Sequence, residues 1–210
     1  MIKSFTFNMV DENTYILYDD TKEAIIIDPG CSDAIEQKKL TDFIAANRLK
    51  VVRLLNTHCH LDHVLGNPLV VEKYGVGLEI HKNEIPVLNY AVASGLRYGI
   101  QVPEQPTPKA FLEENEIINF GDMQLKVLYA PGHSPGSICF YNEAENYLIG
   151  GDVLFFDSIG RTDLPGGNHE QLLESIKTRL MTLPDNVKVY SGHGQATTIG
   201  RERTNNPFLI

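Results

Sequence analysis

The 210-residue sequence has only three cysteines, Cys31, Cys59 and Cys139. They are too few, and odd in number, for a disulfide framework, which points to a reducing cytosol. No run of roughly 18 apolar residues occurs, so no segment is expected to span a bilayer. The first eight residues alternate like a strand and lack the apolar core of a signal peptide, so a cytoplasmic location is expected. Basic side chains are scarce, 18 against 27 acidic ones, for a formal charge of −9. A phosphate backbone would repel such a chain, and no basic tract offsets this, so nucleic acid is not an expected partner. Neither a close repeat nor a true linker is visible. Hydrophobic residues at 42% and charged residues at 21% are those of an ordinary globule, so disorder is not expected. The length fits one domain of generous size or two tightly fused halves.

Residues 2–7, 14–18 and 24–28 read as strands, the last ending in the turn Asp28-Pro29-Gly30. Ser32 or Asp33 offers an N-cap to a helix near 33–47. A buried strand follows at 51–56, then a helix over 64–74, a strand at 77–81 and a helix at 83–97. A loop carrying Pro103, Pro106 and Pro108 precedes strand patterning over 110–130, broken at Gly121-Asp122. Strands at 137–142 and 146–150, a glycine-rich loop over 151–167, a helix at 168–181 and a strand at 187–191 complete the pattern. This order predicts a single domain over 1–210 of two α/β halves, packed sheet against sheet with helices outside and jointed near 101–109.

Residues 57–63 read Thr-His-Cys-His-Leu-Asp-His, directly after the 51–56 strand. His58, His60, Asp62 and His63 thus fall within six positions, where imidazole nitrogen and carboxylate oxygen suit zinc, iron or manganese. Three of seven histidines so tightly grouped make a chance surface cluster improbable. His133 in Ala-Pro-Gly-His-Ser-Pro-Gly, Asp152 in Ile-Gly-Gly-Asp and His193 in Ser-Gly-His-Gly each follow a predicted strand. Any one of them alone is better read as structural. Together they make five histidines and two aspartates at strand ends, where α/β proteins gather active-site groups. Seven ligands exceed one tetrahedral ion and suit two metals sharing a carboxylate.

His-x-His-x-Asp-His, followed by a histidine, an aspartate and a histidine at strand ends, resembles the metallo-β-lactamase fold superfamily, over most of the chain. Within it the sequence is most similar to the small glyoxalase II-like branch, the hydroxyacylglutathione hydrolase-like metallo-hydrolases. The resemblance implies a four-layer αββα sandwich, two mixed sheets face to face with helices outside. It implies that His58, His60 and His133 bind a first metal, that Asp62, His63 and His193 bind a second, and that Asp152 bridges them. Two divalent ions are expected, zinc foremost, with iron and manganese chemically acceptable. Asp28 matches an aspartate that supports the histidine loop from behind the ligands. His81 and His169 match no ligand position, and loop geometry that aims residues 58 and 60 at a metal should aim Cys59 away.

The implied activity is cleavage of a small-molecule thioester, S-lactoylglutathione or a relative, by a hydroxide bridging the metals, with Asp62 orienting it and taking its proton. Competing readings are a persulfide dioxygenase using iron on the same fold, which shares the Gly160-Arg161-Thr162-Asp163 loop, and a lactonase or other ester hydrolase. Gly192-His193-Gly194 favours the hydrolases, since the dioxygenases tend to carry Ala-His-Asp there. The chain stops about where full-length glyoxalase II begins a helical region holding glutathione, which leaves the thiol open. Arg161 matches a basic residue that grips a substrate carboxylate, so a substrate-binding role is expected; the alternative is a surface ion pair with Asp163. Arg97 and the 101–109 loop are expected to border the pocket. Oligomeric state is not legible.

Overall fold

Period-two burial organises the centre of the molecule. In the computed structural model, which describes residues 1–210, the strand β3 (Glu23–Ile27) sends Ile25 and Ile27 to one face and Ala24 and Ile26 to the other, all fully buried. A strand apolar on both faces must be covered on both faces. Its neighbours are β1 (Ile2–Phe7), β2 (Glu12–Tyr18), β4 (Lys50–Leu55), β5 (Leu78–Ile80) and β6 (Ala110–Phe111), in the order β1-β2-β3-β4-β5-β6. β1, β2 and β3 run antiparallel, and β3 to β6 run parallel.

A second sheet contains β7 (Ile117–Phe120), β8 (Met123–Tyr129), β9 (Ile138–Asn142), β10 (Tyr147–Gly151), β13 (Lys188–Ser191) and β14 (Thr197–Thr198). Its order is β14-β13-β10-β9-β8-β7, with β10 and β13 the parallel pair. A two-stranded ribbon, β11 (Leu154–Phe155) and β12 (Ser158–Ile159), interrupts the glycine-rich loop. Tyr15, Leu17, Ile25, Ile27 and Leu55 of the first sheet meet Ile118, Leu125, Val127, Phe140 and Ile149 of the second in a shared core. Each such fully buried aliphatic side chain contributes roughly 1.5–3 kcal/mol.

Helices cover the outer faces. Leu40 and Ile44 of α1 (Ala34–Ala46), Val70 of α3 (Asn67–Tyr74) and Leu88 and Ala91 of α4 (Ile85–Tyr98) pack on the first sheet. Leu172 of α5 (His169–Ser175) and Ile199 of α6 (Ile199–Asn205) pack on the second. The layers are helix, sheet, sheet, helix, the four-layer mixed α/β sandwich expected from the resemblance.

Several boundaries differ from the sequence reading. Asp33, not Ser32, caps α1, its Oδ1 accepting from the amides of Ile35 and Glu36. The helix expected over 64–74 is two: α2 (Leu61–Val64) begins inside the histidine loop, and α3 restarts at Asn67 with Pro68 in its first turn. The helix expected over 168–181 is α5 continued by a π turn at Ile176–Leu180. The chain crosses between sheets after β6, a few residues beyond the 101–109 loop. No helix is long and apolar enough to cross a membrane.

Candidate metal centre

Four loops that follow β4, β8, β10 and β13 converge on one rim. His58 and His60 leave the end of β4, His133 follows β8, Asp152 follows β10 and His193 follows β13. Asp62 and His63 project from the single turn of α2. The reactive nitrogens of His58, His60 and His133 form one trio, and those of His63 and His193 form another with an Asp62 oxygen; within each, the atoms lie within 4.8 Å of one another. Asp152 reaches both. Its Oδ2 is 3.5 Å from His133 Nε2 and 3.5 Å from His193 Nε2, and its Oδ1 is 3.5 Å from His63 Nε2. All seven side chains singled out in the sequence therefore meet at one point.

The far side of each ring decides where its lone pair points. His133 Nδ1 donates to the Arg161 carbonyl at 2.8 Å, and His193 Nδ1 donates to the Val10 carbonyl at 2.9 Å. His63 Nδ1 faces Asp28 Oδ2 at 3.2 Å. Thr57 Oγ1 donates to Asp28 Oδ2 at 2.5 Å, which leaves its oxygen to accept from His58 Nδ1 at 3.1 Å. With Nδ1 protonated, Nε2 of each ring presents a lone pair inward, the arrangement that prepares imidazole for a cation.

Inside the ring of ligands the polar groups lack ordinary partners. His63 Nε2 and Asp152 Oδ1 are fully buried with no hydrogen bond. His133 Nε2 lies 2.9 Å from His60 Nδ1 and 3.2 Å from His58 Nε2, three nitrogens aimed at one point. Buried donors and acceptors are costly to leave unpaired, and converging lone pairs repel unless a cation sits among them. The donor set therefore fits two divalent ions of the kind that accept nitrogen and carboxylate oxygen.

Titration follows the same division. Burial pushes the His58 and His133 rings down, and burial with the adjacent His133 takes His60 to about 3, so this trio is held neutral. Burial opposes charge on His63 too, but Asp62 and Asp152 outweigh it and raise its pKa. Burial likewise works against ionised Asp62 and Asp152, and the neighbouring His63 overrides it and holds both carboxyls low.

Asp28 brackets the histidine loop from beneath. Its Oδ1 accepts from the Thr57 amide at 2.7 Å and from Asn56 Nδ2 at 3.2 Å, while its Oδ2 serves Thr57 and His63. Cys59 turns away from the ligands into the core under the first sheet. His81 caps the turn before α4 by accepting from the Asn83 amide, and its ring stacks on Tyr129. Gly192 approaches the ligands so closely that a Cβ there would collide with Asp152 Oδ1 and lie 2.8 Å from the His63 ring.

Sequence reasoning missed Glu84. This buried carboxylate accepts from the Cys59 amide at 2.7 Å, the Ser134 hydroxyl at 2.6 Å and the Gly136 amide at 2.6 Å. It ties the His58–His60 loop to the His133 loop. Its one local signal is a glutamate just before Ile85-Pro86 at the start of α4, which does not reveal contacts to residues 59 and 134–136.

The ligand rim opens into a cavity of about 1260 Å³, walled by α4, the turn between β1 and β2, and the 155–165 segment. Arg97 and Arg161 both line it, whereas no residue of the 101–109 loop does. Arg161 is engaged by Asp163 through two parallel contacts, Nε to Oδ1 at 2.7 Å and the terminal nitrogen to Oδ2 at 2.8 Å.

Comparison with known proteins agrees with this architecture. Residues 9–193 match the model of the Metallo-beta-lactamase superfamily. The chain is 40% identical to "Probable metallo-hydrolase YqgX" of Bacillus subtilis, over 95% of this chain and 93% of that one. It is 36% identical to "Hydroxyacylglutathione hydrolase GloC" of Haemophilus influenzae, over 94% and 92% of the two chains. Among solved structures, the BLEG-1 B3 metallo-beta-lactamase superimposes with a TM-score of 0.89 at 36% identity, covering all of both chains. TTHA1623 in a di-iron-bound form gives 0.89 at 35% identity, covering 99% of this chain and all of that one. Seven converging imidazole and carboxylate side chains, the layered fold and these likenesses agree: the chain belongs to the metallo-beta-lactamase superfamily.

Proposed function

We propose that the protein is a dinuclear metallo-hydrolase that cleaves a small-molecule thioester. The observation that carries this reading is Asp152 standing between two complete donor trios at the floor of a large cavity. His58, His60 and His133 would hold one ion and Asp62, His63 and His193 the other, with Asp152 shared. Two divalent cations so held lower the pKa of water toward ~7 and neutralise charge developing on a carbonyl oxygen. Zinc is the first choice for this donor set, and the di-iron form of TTHA1623 supports iron as a second.

The chain's own groups do the rest. The Asp62 carboxylate is kept ionised by His63 and His193, and one of its oxygens faces His193 Nε2 at 3.1 Å. Its other oxygen is the group to orient an attacking water and take its proton. The Nδ1 bonds of His63, His133 and His193 fix the rings, so little reorganisation accompanies the change of charge. A thiolate leaves without full protonation, so a thioester makes the least demand on an acid at the cavity mouth. The GloC relative supports the same class. Arg161, at the cavity wall, would contact an anionic part of the substrate once released from Asp163.

The dioxygenase alternative would use a single iron and leave part of the seven-residue donor set without a metal, although both trios are built into the site. The test is elemental analysis of the purified protein, with anaerobic and aerobic assays on S-lactoylglutathione and glutathione persulfide. Two metals per chain and oxygen-independent thioester cleavage are expected. Oxygen uptake stoichiometric with persulfide, and no thioester turnover, overturns the reading.

A further inference from the structure

One wall of the cavity is a single face of α4. Pro86, Val87, Tyr90, Ser94 and Arg97 recur at three- and four-residue steps and all line the space above the metal ligands. The rest of the wall is mostly apolar, with Met9, Leu65, Phe155, Phe156 and Leu164 among its residues. Arg97 is the one charged group on the helical side.

The environment of Arg97 differs from that of the chain's other arginines. Of the seven, Arg53, Arg161, Arg179, Arg201 and Arg203 each face a carboxylate within ion-pair distance. Arg48 and Arg97 have none, and of these two only Arg97 borders the cavity. This happens in a chain with nine more acidic than basic side chains, where an unpaired guanidinium has many carboxylates to pair with. Tyr90, two helical turns back on the same face of α4, lines the same wall as Arg97. Arg161 on the opposite wall has its fork filled by Asp163.

An exposed guanidinium alone is solvated and recognises little. Beside Tyr90 and Tyr98, with a ligand body displacing water from the apolar wall, the same group offers a planar fork in a medium where charge is weakly screened. The chain's net negative charge repels anions at long range, so an anionic ligand needs such a local cation. We infer that Arg97 is an anion anchor of the cavity, and that the substrate is a thioester whose body packs on the apolar wall and carries a carboxylate remote from the scissile carbonyl. The substrate class rests on the hydrolase reading; the anion site does not.

The test uses two fluorescent probes of nearly the same shape on the metal-replete protein. These are 8-anilinonaphthalene-1-sulfonate, and N-phenyl-1-naphthylamine, which lacks only the sulfonate. Arg97→Ala should weaken the sulfonate at least tenfold and leave the neutral dye within twofold, with Arg97→Lys in between. Equal losses for both dyes, or no loss for the sulfonate, overturn the anchor. A second arm compares butanoyl thioesters of 3-mercaptopropionic acid and of its amide. Arg97→Ala should raise KM for the acid about tenfold, with kcat and the amide unchanged; equal KM shifts overturn the substrate class. If the dyes separate as expected while wild-type protein cleaves neither thioester, the hydrolase reading falls and the anion site stands.

Discussion

Replacing Glu84 by glutamine exchanges one carboxylate oxygen for an amide that can only donate. Oε1 receives two donors, the Ser134 hydroxyl and the Gly136 amide, whereas Oε2 receives the Cys59 amide. The variant retains more bonds by turning its carbonyl to Ser134 and Gly136 and its NH₂ to Cys59, where two donors then face each other. The Cys59 N–H and the new NH₂ are then both left without an acceptor, which costs at least about 1–3 kcal/mol. Glu84→Ala strands all three donors and should cost at least about 3 kcal/mol, partly offset if water enters. The stranded Cys59 amide lies between His58 and His60, the ligands proposed for the first ion, so the loss should also weaken metal binding by roughly 10–100-fold, the usual effect of disturbing groups behind ligands. Urea unfolding of the metal-free protein reads the first effect, and competition with a chromophoric chelator reads the second. Ser134→Ala is the control, because it removes one donor and leaves the Cys59 tether intact. If Glu84→Gln matches wild type within about 0.5 kcal/mol and in metal affinity, the clamp argument is wrong.

Other outcomes follow from the same geometry. His193→Ala should take metal content from two ions per chain to one without unfolding the protein, as judged by elemental analysis and circular dichroism; unchanged content would count against a second ion. Asp62→Asn should lose most thioester turnover even in preparations that retain metal, and parallel losses of metal and activity would deny it a separate role as base. The bond from Arg161 holds the exposed Asp163 carboxyl at about 2, below its ordinary 3.8. A depressed carboxyl stabilises above its unfolded pKa and loses that contribution as pH falls through the folded one, so this pair stays closed across the neutral range. Asp163→Asn should therefore free Arg161 and tighten the anilinonaphthalene sulfonate several-fold at pH 7; no change in its Kd would leave Arg161 without a part in anion binding.

The parts of this molecule that could be read from sequence are those governed by local pattern. The strand ends carrying His58, His133, Asp152 and His193 stand out because an apolar run halts at glycine, proline and a ligand-forming side chain. Asp28 was legible through its turn and its family match. Where tertiary placement decides, the sequence is silent. Glu84 stands just before α4 and Arg97 near its end, with little local to mark either, and their roles depend on residues from elsewhere in the chain. The split between α2 and α3 falls at Leu65-Gly66, where a continuous helical pattern conceals the bend that places Asp62 and His63. The C-terminal helix α6 escaped because its residues 199–205 are mostly polar. It is held instead by the buried Glu202 carboxylate, which accepts from the Asp157 amide at 3.0 Å and Asn206 Nδ2 at 2.9 Å.

The turn between β1 and β2, with the start of β2, carries none of the seven site side chains, yet it joins the beginning of the chain to its end. Asn8 Nδ2 donates to the carbonyls of Gly30 and Asp62, both at 3.0 Å. Val10 receives His193 Nδ1, and Asn13 Nδ2 donates to the carbonyls of Ser191 and Gly194 at 3.1 and 2.9 Å. Contacts spanning some 180 residues form late in folding, because the entropy of closing so long a loop precedes any reward. On that argument Asp62 and His63 can be placed by the first sheet, whereas His193 depends on the docking of β13. On the dinuclear reading, metal capture by the Asp62–His63–His193 trio would report completion of the fold: a chain interrupted between β4 and β13 would lack His193, and a nascent chain would gain a second ion only after nearly all of it had emerged.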